Sequence, residues 1–359
     1  MTKRFLITGA QGFVGRYVVS RLLSSHSEVT VLGVGRSRRL DDTFTHSVSW
    51  KTQLIPAPLP DELKTSCYGE RYQYASIDIS DRMGLCQVLR SFRPHVLIHL
   101  ASGLRDDPPD YLFRLNFEGT IHLVEAIKES GIEVPRLVIG STGGVYGSPA
   151  KDSVPIKESY PCMPADLYSA SKLASEHASR ILATQYEIPT IWARLFNLVG
   201  AGQDERHACG RFASTVAAIL KKELPPVIKV GRLDTTRDFV NVLDVAYALD
   251  LISEKGTPGE IYNVGSGTES SIRSVLNTTL SLAGLEGLVK VEEHTQDRVN
   301  DIARHFADIG RLRSLGFRPK YDLRQSLEQL LLYYVETVAE TARKLTLATK
   351  RHKKHKRLC

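Results

Sequence analysis

Short apolar runs alternate with amphipathic stretches through the first two thirds of the chain. Arg4–Thr8 (RFLIT) predicts a buried strand that ends at Gly9. Val18, Val19, Leu22 and Leu23 then repeat with helical spacing through RYVVSRLLSS, which predicts a helix directly after Gly15. Glu28–Val34 (EVTVLGV) predicts the second strand, and further strands are predicted at Tyr74–Ile79, 95–102 (HVLIHLAS), 136–142 (RLVIGST) and 188–195 (IPTIWARL). Helical spacing fills Arg82–Ser91, Asp110–Ser130 and a segment that contains Tyr168 and ends near Tyr186. Strands that are unbroken apolar runs, each followed by a helix, predict an α/β fold: a doubly wound parallel sheet covered on both faces.

Beyond Asn197 the alternation loosens. The pattern predicts a helix over Phe212–Lys222, a strand at 228–231 (IKVG), a turn at RDFVN with a helix from Val242, a strand at 260–266 (EIYNVGS), a helix over Ile272–Leu282 and a final amphipathic helix over 322–340. Residues 40–72 are polar and proline-punctuated, and no element is assigned to them. The terminal KRHKKHKRLC offers almost nothing to bury and is expected to be disordered.

Composition changes this picture in one place. A net charge of +7 suggests an acidic partner, but eight of the 47 Lys and Arg lie in Arg343–Cys359, which holds no acid. The remaining 39 basic groups face 40 acidic ones, so the body is neutral and nucleic acid is not expected as a partner. The basic tail is of a size that can contact an anionic membrane, although a solubilising tail is the preferred reading. Five widely spaced cysteines without a C-x-x-C pair predict reduced thiols in a cytoplasmic protein, with no metal site. No apolar run approaches the ~20 residues of a membrane helix, and glycines interrupt the N-terminal apolar stretch where a signal peptide would need it unbroken.

Three stretches carry candidate chemistry. Gly9-Ala10-Gln11-Gly12-Phe13-Val14-Gly15 lies between a predicted strand and a predicted helix, the setting in which glycines let the backbone approach a pyrophosphate at a helix N-terminus. Alone, the same pattern also describes a glycine-rich turn without a ligand. At the end of the second strand NAD-binding proteins carry an acid for the ribose 2′-hydroxyl, whereas here the run is Gly33-Val34-Gly35-Arg36-Ser37-Arg38-Arg39. Arg36 with Ser37 could hold a 2′-phosphate, which favours NADP (NADPH) with NAD as the alternative; a solvated basic loop is the plain reading. Tyr168 and Lys172 stand four apart, ~6 Å between neighbours on one helix face. An ammonium there favours the phenolate, which suits an acid or base at a sugar or alcohol oxygen.

Taken in order, TGAQGFVG, Asp78-Ile79, HLAS, LNFEGT, STGGVYG, YSASK, RLFNLVG, RDFVNVLDV and RVND resemble the extended short-chain dehydrogenase/reductase family, the sugar-nucleotide epimerases, dehydratases and reductases, over residues 3–335. The resemblance implies a dinucleotide-binding Rossmann domain over 1–195 and 237–265 and a smaller nucleotide-sugar domain over 196–236 and 266–340; the composition adds a basic disordered tail over 341–359. It implies Tyr168 as the proton donor or acceptor, Lys172 on the nicotinamide ribose and Thr142 on the reacting oxygen. Asp78 and Ile79 are implied to flank the adenine, Leu100 and Ala101 to line the cofactor groove, and Asn116 to buttress the active-site helix. Arg237, Arg298, Arg211 and Asn197 are implied to hold the nucleotide diphosphate and sugar. Dehydratases of the family carry an acid just after the Ser/Thr, where this chain has Gly143 and Gly144, so dehydration is disfavoured. EIYNVGSGTESSIRSVL and IKVGRLDTTRDFVNVLDVAYAL resemble the GDP-4-keto-6-deoxymannose reductases. The implied activity is NADPH-dependent reduction of a GDP-linked 4-keto-6-deoxy sugar by a homodimer, with C4 epimerisation as the alternative; a non-enzymatic NADP sensor is disfavoured by the intact Tyr–Lys pair.

Overall fold

Alternate residues of the central strands feed two separate cores, which is why each strand reads as an unbroken apolar run. The computed structural model describes residues 2–64, 69–133, 136–294 and 302–355. Its main sheet contains β1 (Lys3–Thr8), β2 (Val29–Gly35), β5 (Tyr72–Ser76), β6 (Val96–His99), β7 (Arg136–Thr142), β8 (Thr190–Leu195) and β12 (Ile261–Val264). All pairings in it are parallel, in the order β12-β8-β7-β6-β1-β2-β5. Phe5 and Ile7 join a core with Tyr17, Val18 and Leu22 of the Phe13–Ser25 helix, and with Val245 and Leu249 of the Val242–Lys255 helix. Leu6, between them, joins the opposite core with Leu85 and Leu89 of Arg82–Phe92 and Leu123 and Ile127 of Gly119–Ser130. This is the doubly wound parallel sheet expected from the sequence.

The unassigned stretch is ordered. β3 (Thr43–Trp50) and β4 (Gln53–Pro58) form an antiparallel hairpin closed at Lys51, whose φ is 58°. Phe44, Val48 and Trp50 alternate inward and are buried with Ile55, Ala57 and Leu59. The hairpin is bonded to the second half of the chain: Trp50 Nε1 donates to Glu223 (3.0 Å), Ser214 to the Ser49 carbonyl (3.1 Å) and Tyr333 to the Pro58 carbonyl (3.0 Å). Trp50→Ala should therefore cost about 3–5 kcal/mol of unfolding free energy in urea titration. A loss under about 1 kcal/mol would mean that the hairpin is not part of the core.

The second half forms smaller sheets. β9 (Asn197–Val199), β13 (Glu269–Ser271) and β15 (Arg304–His305) all pair with β11 (Thr236–Asn241), and β10 (Val227–Val230) pairs with β14 (Lys290–Glu293). The turn expected at RDFVN is instead strand β11. Its Asp238 is fully buried and accepts from Ser266 N and Oγ, Gly267 N and Ala307 N at 2.7–3.2 Å. The final helix starts at a capping box on Asp322 (Leu323–Leu332), passes through a π-helical turn (Tyr333–Val338) and continues over Ala339–His355. The disorder expected from residue 341 is thus not found as far as His355. Ala339 and Ala342 pack into the core, and Lys344 pairs with Glu340 one turn away at 2.7 Å, so the helix is supported past Val338. Among the described residues no helix is long and apolar enough to cross a membrane.

Candidate active site

β1 lies between β2 and β6, where the strand order reverses, and the crevice beyond such strand ends is where open α/β sheets bind ligands. The glycine turn sits there. Gly9 N donates to Val34 O (2.8 Å) and Gly12 N to Gly9 O (2.9 Å). Gly9 has φ +68°, and a Cβ on it would stand 2.7 Å from Ala101 N. A Cβ on Gly15 would overlap the Gly9 carbonyl oxygen. Gly12 caps the Phe13–Ser25 helix without a side chain, so the first helical amides stay available to an anion. Phe13 and Val14 pack back against the core. Gln11 is buried and braces the following loop, donating to Arg39 O at 3.2 Å and accepting from Arg16 at 3.3 Å. The cradle fits a dinucleotide pyrophosphate.

At the end of β2, Arg36 is exposed and lies 5.5 Å from the Tyr111 ring centroid, and Ser37 is half-buried. Asp78 accepts from Ser80 N (2.9 Å) and Ser80 Oγ (2.7 Å). Burial pushes its carboxyl up, but these bonds and the charges of Arg36 and Arg114 hold it below the usual carboxylate range. Ile79 is buried under Gly119, where a Cβ would meet it at 2.7 Å. Arg36 and Asp78 thus meet at one edge of the crevice, joined by Tyr111 and Arg114, which sequence reasoning missed.

After β6 the Leu100 and Ala101 amides, both 3.2 Å from Thr8 Oγ1, donate to that hydroxyl. Their neighbour His99 is fully buried, with Nδ1 2.7 Å from Thr8 Oγ1 and Nε2 2.9 Å from Thr120 Oγ1. Thr120 spends its own proton on Asn116 O (2.7 Å), so it accepts from Nε2–H, and Nδ1 accepts from Thr8. Burial, reinforced by the charge of Lys172, brings His99 down to about 3, which keeps it neutral. HLAS was legible as a motif, but not as this clamp between β1, β6 and the next helix. Asn116 lies in a π-helical turn (Phe113–Glu118), fully buried. Its Oδ1 accepts from Gly103 N (2.8 Å), and its Nδ2 donates to Ser171 on the Tyr168 helix (2.9 Å).

That helix, Leu167–Gln185, is N-capped by Asp166, which accepts from Ser169 N at 2.8 Å. Burial raises the Tyr168 phenol above its usual value, and the Ser102 hydroxyl and the Arg105 charge only partly offset it. The sequence led us to expect Lys172 to lower this phenol; burial outweighs every favourable charge, and the phenol stays protonated at neutral pH. Lys172 is itself buried, and burial brings its ammonium down to about 8 against the opposing charge of Glu176.

Thr142 ends β7 and accepts from Gly144 N at 3.1 Å, capping the Gly143–Tyr146 turn. The two glycine positions of this turn are closely packed. A Cβ on Gly143 would meet the Phe196 ring at 3.0 Å, and one on Gly144 would overlap Ser169 Oγ. His305, from β15, donates Nε2–H to the Gly143 carbonyl (3.1 Å) and lies 5.1 Å from the Phe196 ring. Burial, then the Arg237 charge, brings it down to about 4. Arg105 pairs with Asp166 at 3.1 Å and acts electrostatically on both Tyr168 and His305, so it stands between the two halves. Neither His305 nor Arg105 had a sequence signal, since each meets its partners only through the fold.

The second-half residues are partly assembled. Asn197 donates to the Asp238 carbonyl (3.1 Å), and Arg237, on the adjacent strand, donates to Thr236 O and Ile302 O (2.7 Å each) and is in register with His305. Arg211 is exposed on the Ala208–Leu220 helix and donates to Glu205 O at 3.3 Å. Arg298 lies outside the described residues.

A glycine cradle at the switch point of a parallel sheet is the arrangement of a Rossmann-type dinucleotide-binding fold. Residues 5–265 match the profile of the NAD dependent epimerase/dehydratase family, and the chain belongs to that family. It is 30% identical to a UDP-glucose 4-epimerase of Mycolicibacterium smegmatis, over 92% of this chain and 98% of that one. It is 28% identical to the GDP-6-deoxy-D-mannose reductase of Pseudomonas aeruginosa, over 95% of this chain and all of the relative. The structure of RMD from Pseudomonas aeruginosa complexed with NADPH superposes with a TM-score of 0.74 at 25% identity, covering 93% of this chain and 99% of that one.

Proposed function

We propose that this chain reduces a nucleotide-activated 4-keto-6-deoxy sugar, a GDP-sugar in first place, with NADPH. The observation that carries the reading is the end of β2, where Gly33 stands for the carboxylate and Arg36 with Ser37 follows. A side chain on Gly33 would stand 2.8 Å from Ala10 Cβ, so the strand cannot regain its acid there without repacking. Gly143 and Gly144 argue against dehydration, since neither carries a proton-transferring acid and a side chain at either would press on Phe196 or Ser169. The protonated Tyr168 favours proton donation.

The glycine turn and helix N-terminus would hold the pyrophosphate, Arg36 and Ser37 the 2′-phosphate, Asp78 and Ile79 the adenine, and Lys172 the nicotinamide ribose. Leu100 and Ala101 would line the groove. Bound there, NADPH supplies a hydride. The chain's own residues do the rest: Thr142 donates a hydrogen bond to the sugar C4 oxygen, Tyr168 delivers a proton to it, and the Lys172 ammonium stabilises the charge that develops. Arg237, Arg298, Arg211 and Asn197 would grip the diphosphate and sugar from the second half, Arg through its bidentate fork. In a homodimer the Tyr168 helix and Gly119–Ser130 would face a second copy; Ile181, exposed on the former, suits such a contact.

C4 epimerisation is the second reading, favoured by the likeness to the Mycolicibacterium smegmatis epimerase. The purified protein should oxidise NADPH, in preference to NADH, when given a GDP-4-keto-6-deoxysugar. Interconversion of UDP-hexoses with catalytic NAD would replace the reductase with the epimerase.

A further inference from the structure

Glu176 continues the line of Tyr168 and Lys172, four residues further along the same helix face. Its carboxylate is buried, 5% exposed, and fully engaged. Arg194, 4% exposed, meets it in a fork, Nε to Oε1 at 3.1 Å and Nη2 to Oε2 at 2.7 Å, and the Ser141 hydroxyl donates to Oε1. Ser141 is the neighbour of Thr142 and is in register with Arg194 across β7 and β8. Arg194 in turn lies 4.8 Å from the Tyr146 ring, whose hydroxyl donates to Asn263 at 2.6 Å. One carboxylate therefore ties the Tyr168 helix to the strand end that carries Thr142.

Stability alone accounts poorly for this arrangement. A buried ion pair recovers its desolvation cost only in part, and apolar residues of similar volume often do as well. Its position, one turn from a buried lysine, supplies the other reason. The groups facing Lys172 and the pair are the Tyr168 phenol on the same helix, neutral His99 from β6, Arg194 from β8, and the Tyr146 phenol and Cys162 thiol, both pushed up and uncharged. Glu158, beyond Arg194, is pushed up by burial and acts on Tyr146. Glu176 is the charge that works against burial of the Lys172 ammonium.

We propose that Glu176 is a positioning residue of the cofactor site: its carboxylate sets a negative charge one turn from Lys172 on the same helix face and, through Ser141 and Arg194, holds Thr142 in place against the Tyr168 helix. This rests on the assignment of Lys172 to the nicotinamide ribose. The test is the pH dependence of NADPH affinity, followed by fluorescence titration of the full chain without sugar. Wild-type affinity should fall as pH rises through about 8, where Lys172 loses its proton. In Glu176→Gln the fall should move down by about one pH unit, giving about threefold weaker binding midway between the two midpoints, approaching about tenfold above both, and near-equal binding at about pH 6. Glu176→Met with Arg194→Met restores an apolar packing, so it should recover thermal stability while keeping the displaced midpoint. If either variant titrates like the wild type, the pair is structural alone and the proposal is overturned. Lys172→Met separates the two ideas: it should bind weakly and independently of pH. Wild-type behaviour in that variant would remove Lys172 from the cofactor site, whatever Glu176 does.

Discussion

Tyr168→Phe should lower turnover by about 10²–10⁴-fold, the range that a positioned proton donor contributes, and leave NADPH affinity within about threefold. The two readouts separate because the hydroxyl and the ring do different work. The helix is set by the Asp166 cap and the Asn116–Ser171 bond, neither of which uses the phenol oxygen. Phe keeps the ring and removes only the acidic proton. With the phenol raised by burial, the wild-type donor stays protonated through neutral pH, so its contribution should not fall away as pH rises from about 6 to 8. Retained turnover in the Phe variant would assign the proton to another group. Lost cofactor affinity would show instead that the hydroxyl organises the crevice.

Gly15→Val should have the second large effect, an affinity loss for NADPH of at least about 100-fold, alongside about 1–3 kcal/mol of stability. The added atoms meet backbone, which cannot rotate aside. A Cβ there would overlap the Gly9 carbonyl oxygen and approach Ala10 Cα to 2.8 Å. Gly9 cannot retreat, because its own surroundings reach the Ala101 amide. The turn must open, and opening it withdraws the helix N-terminus from the pyrophosphate. Gly131→Ala is the control. Unlike Gly15 it has positive φ (+65°), but no heavy atom lies within 4 Å of its Cβ position. It should cost about 1 kcal/mol of stability and leave affinity unchanged. NADPH binding to Gly15→Val at wild-type strength would mean that the cradle is not the pyrophosphate site.

The elements that could be read in advance are those whose signal is local. RFLIT, HVLIHLAS and RLVIGST announce themselves because strands buried on both faces need no polar alternate positions. The hairpin over Thr43–Pro58 escaped notice although its pattern was present, with Phe44, Val48 and Trp50 two or four apart. Thr and Ser on the other face, His46 among the inward positions, and prolines in β4 made the stretch look like a loop. What makes it core is Glu223, Ser214 and Tyr333, all more than 150 residues away. β11 was misread for the opposite reason. An acid in its middle suggests a turn, yet Asp238 is tolerated at full burial because four donors from 266, 267 and 307 converge on it.

The sequence by itself determined the parallel sheet, the glycine turn, the Tyr168–Lys172 spacing and the diglycine after Thr142. Each depends on the periodicity or identity of neighbouring residues, and each survives as a short string. Only the tertiary structure decided the electrostatics and the floor of the site. Burial, not the nearby lysine, sets the Tyr168 phenol. His99, Glu176 and His305 gained their roles from partners on other elements. A side chain's charge state and hydrogen bonds depend on which groups share its buried volume, and the chain brings those groups together only when it folds.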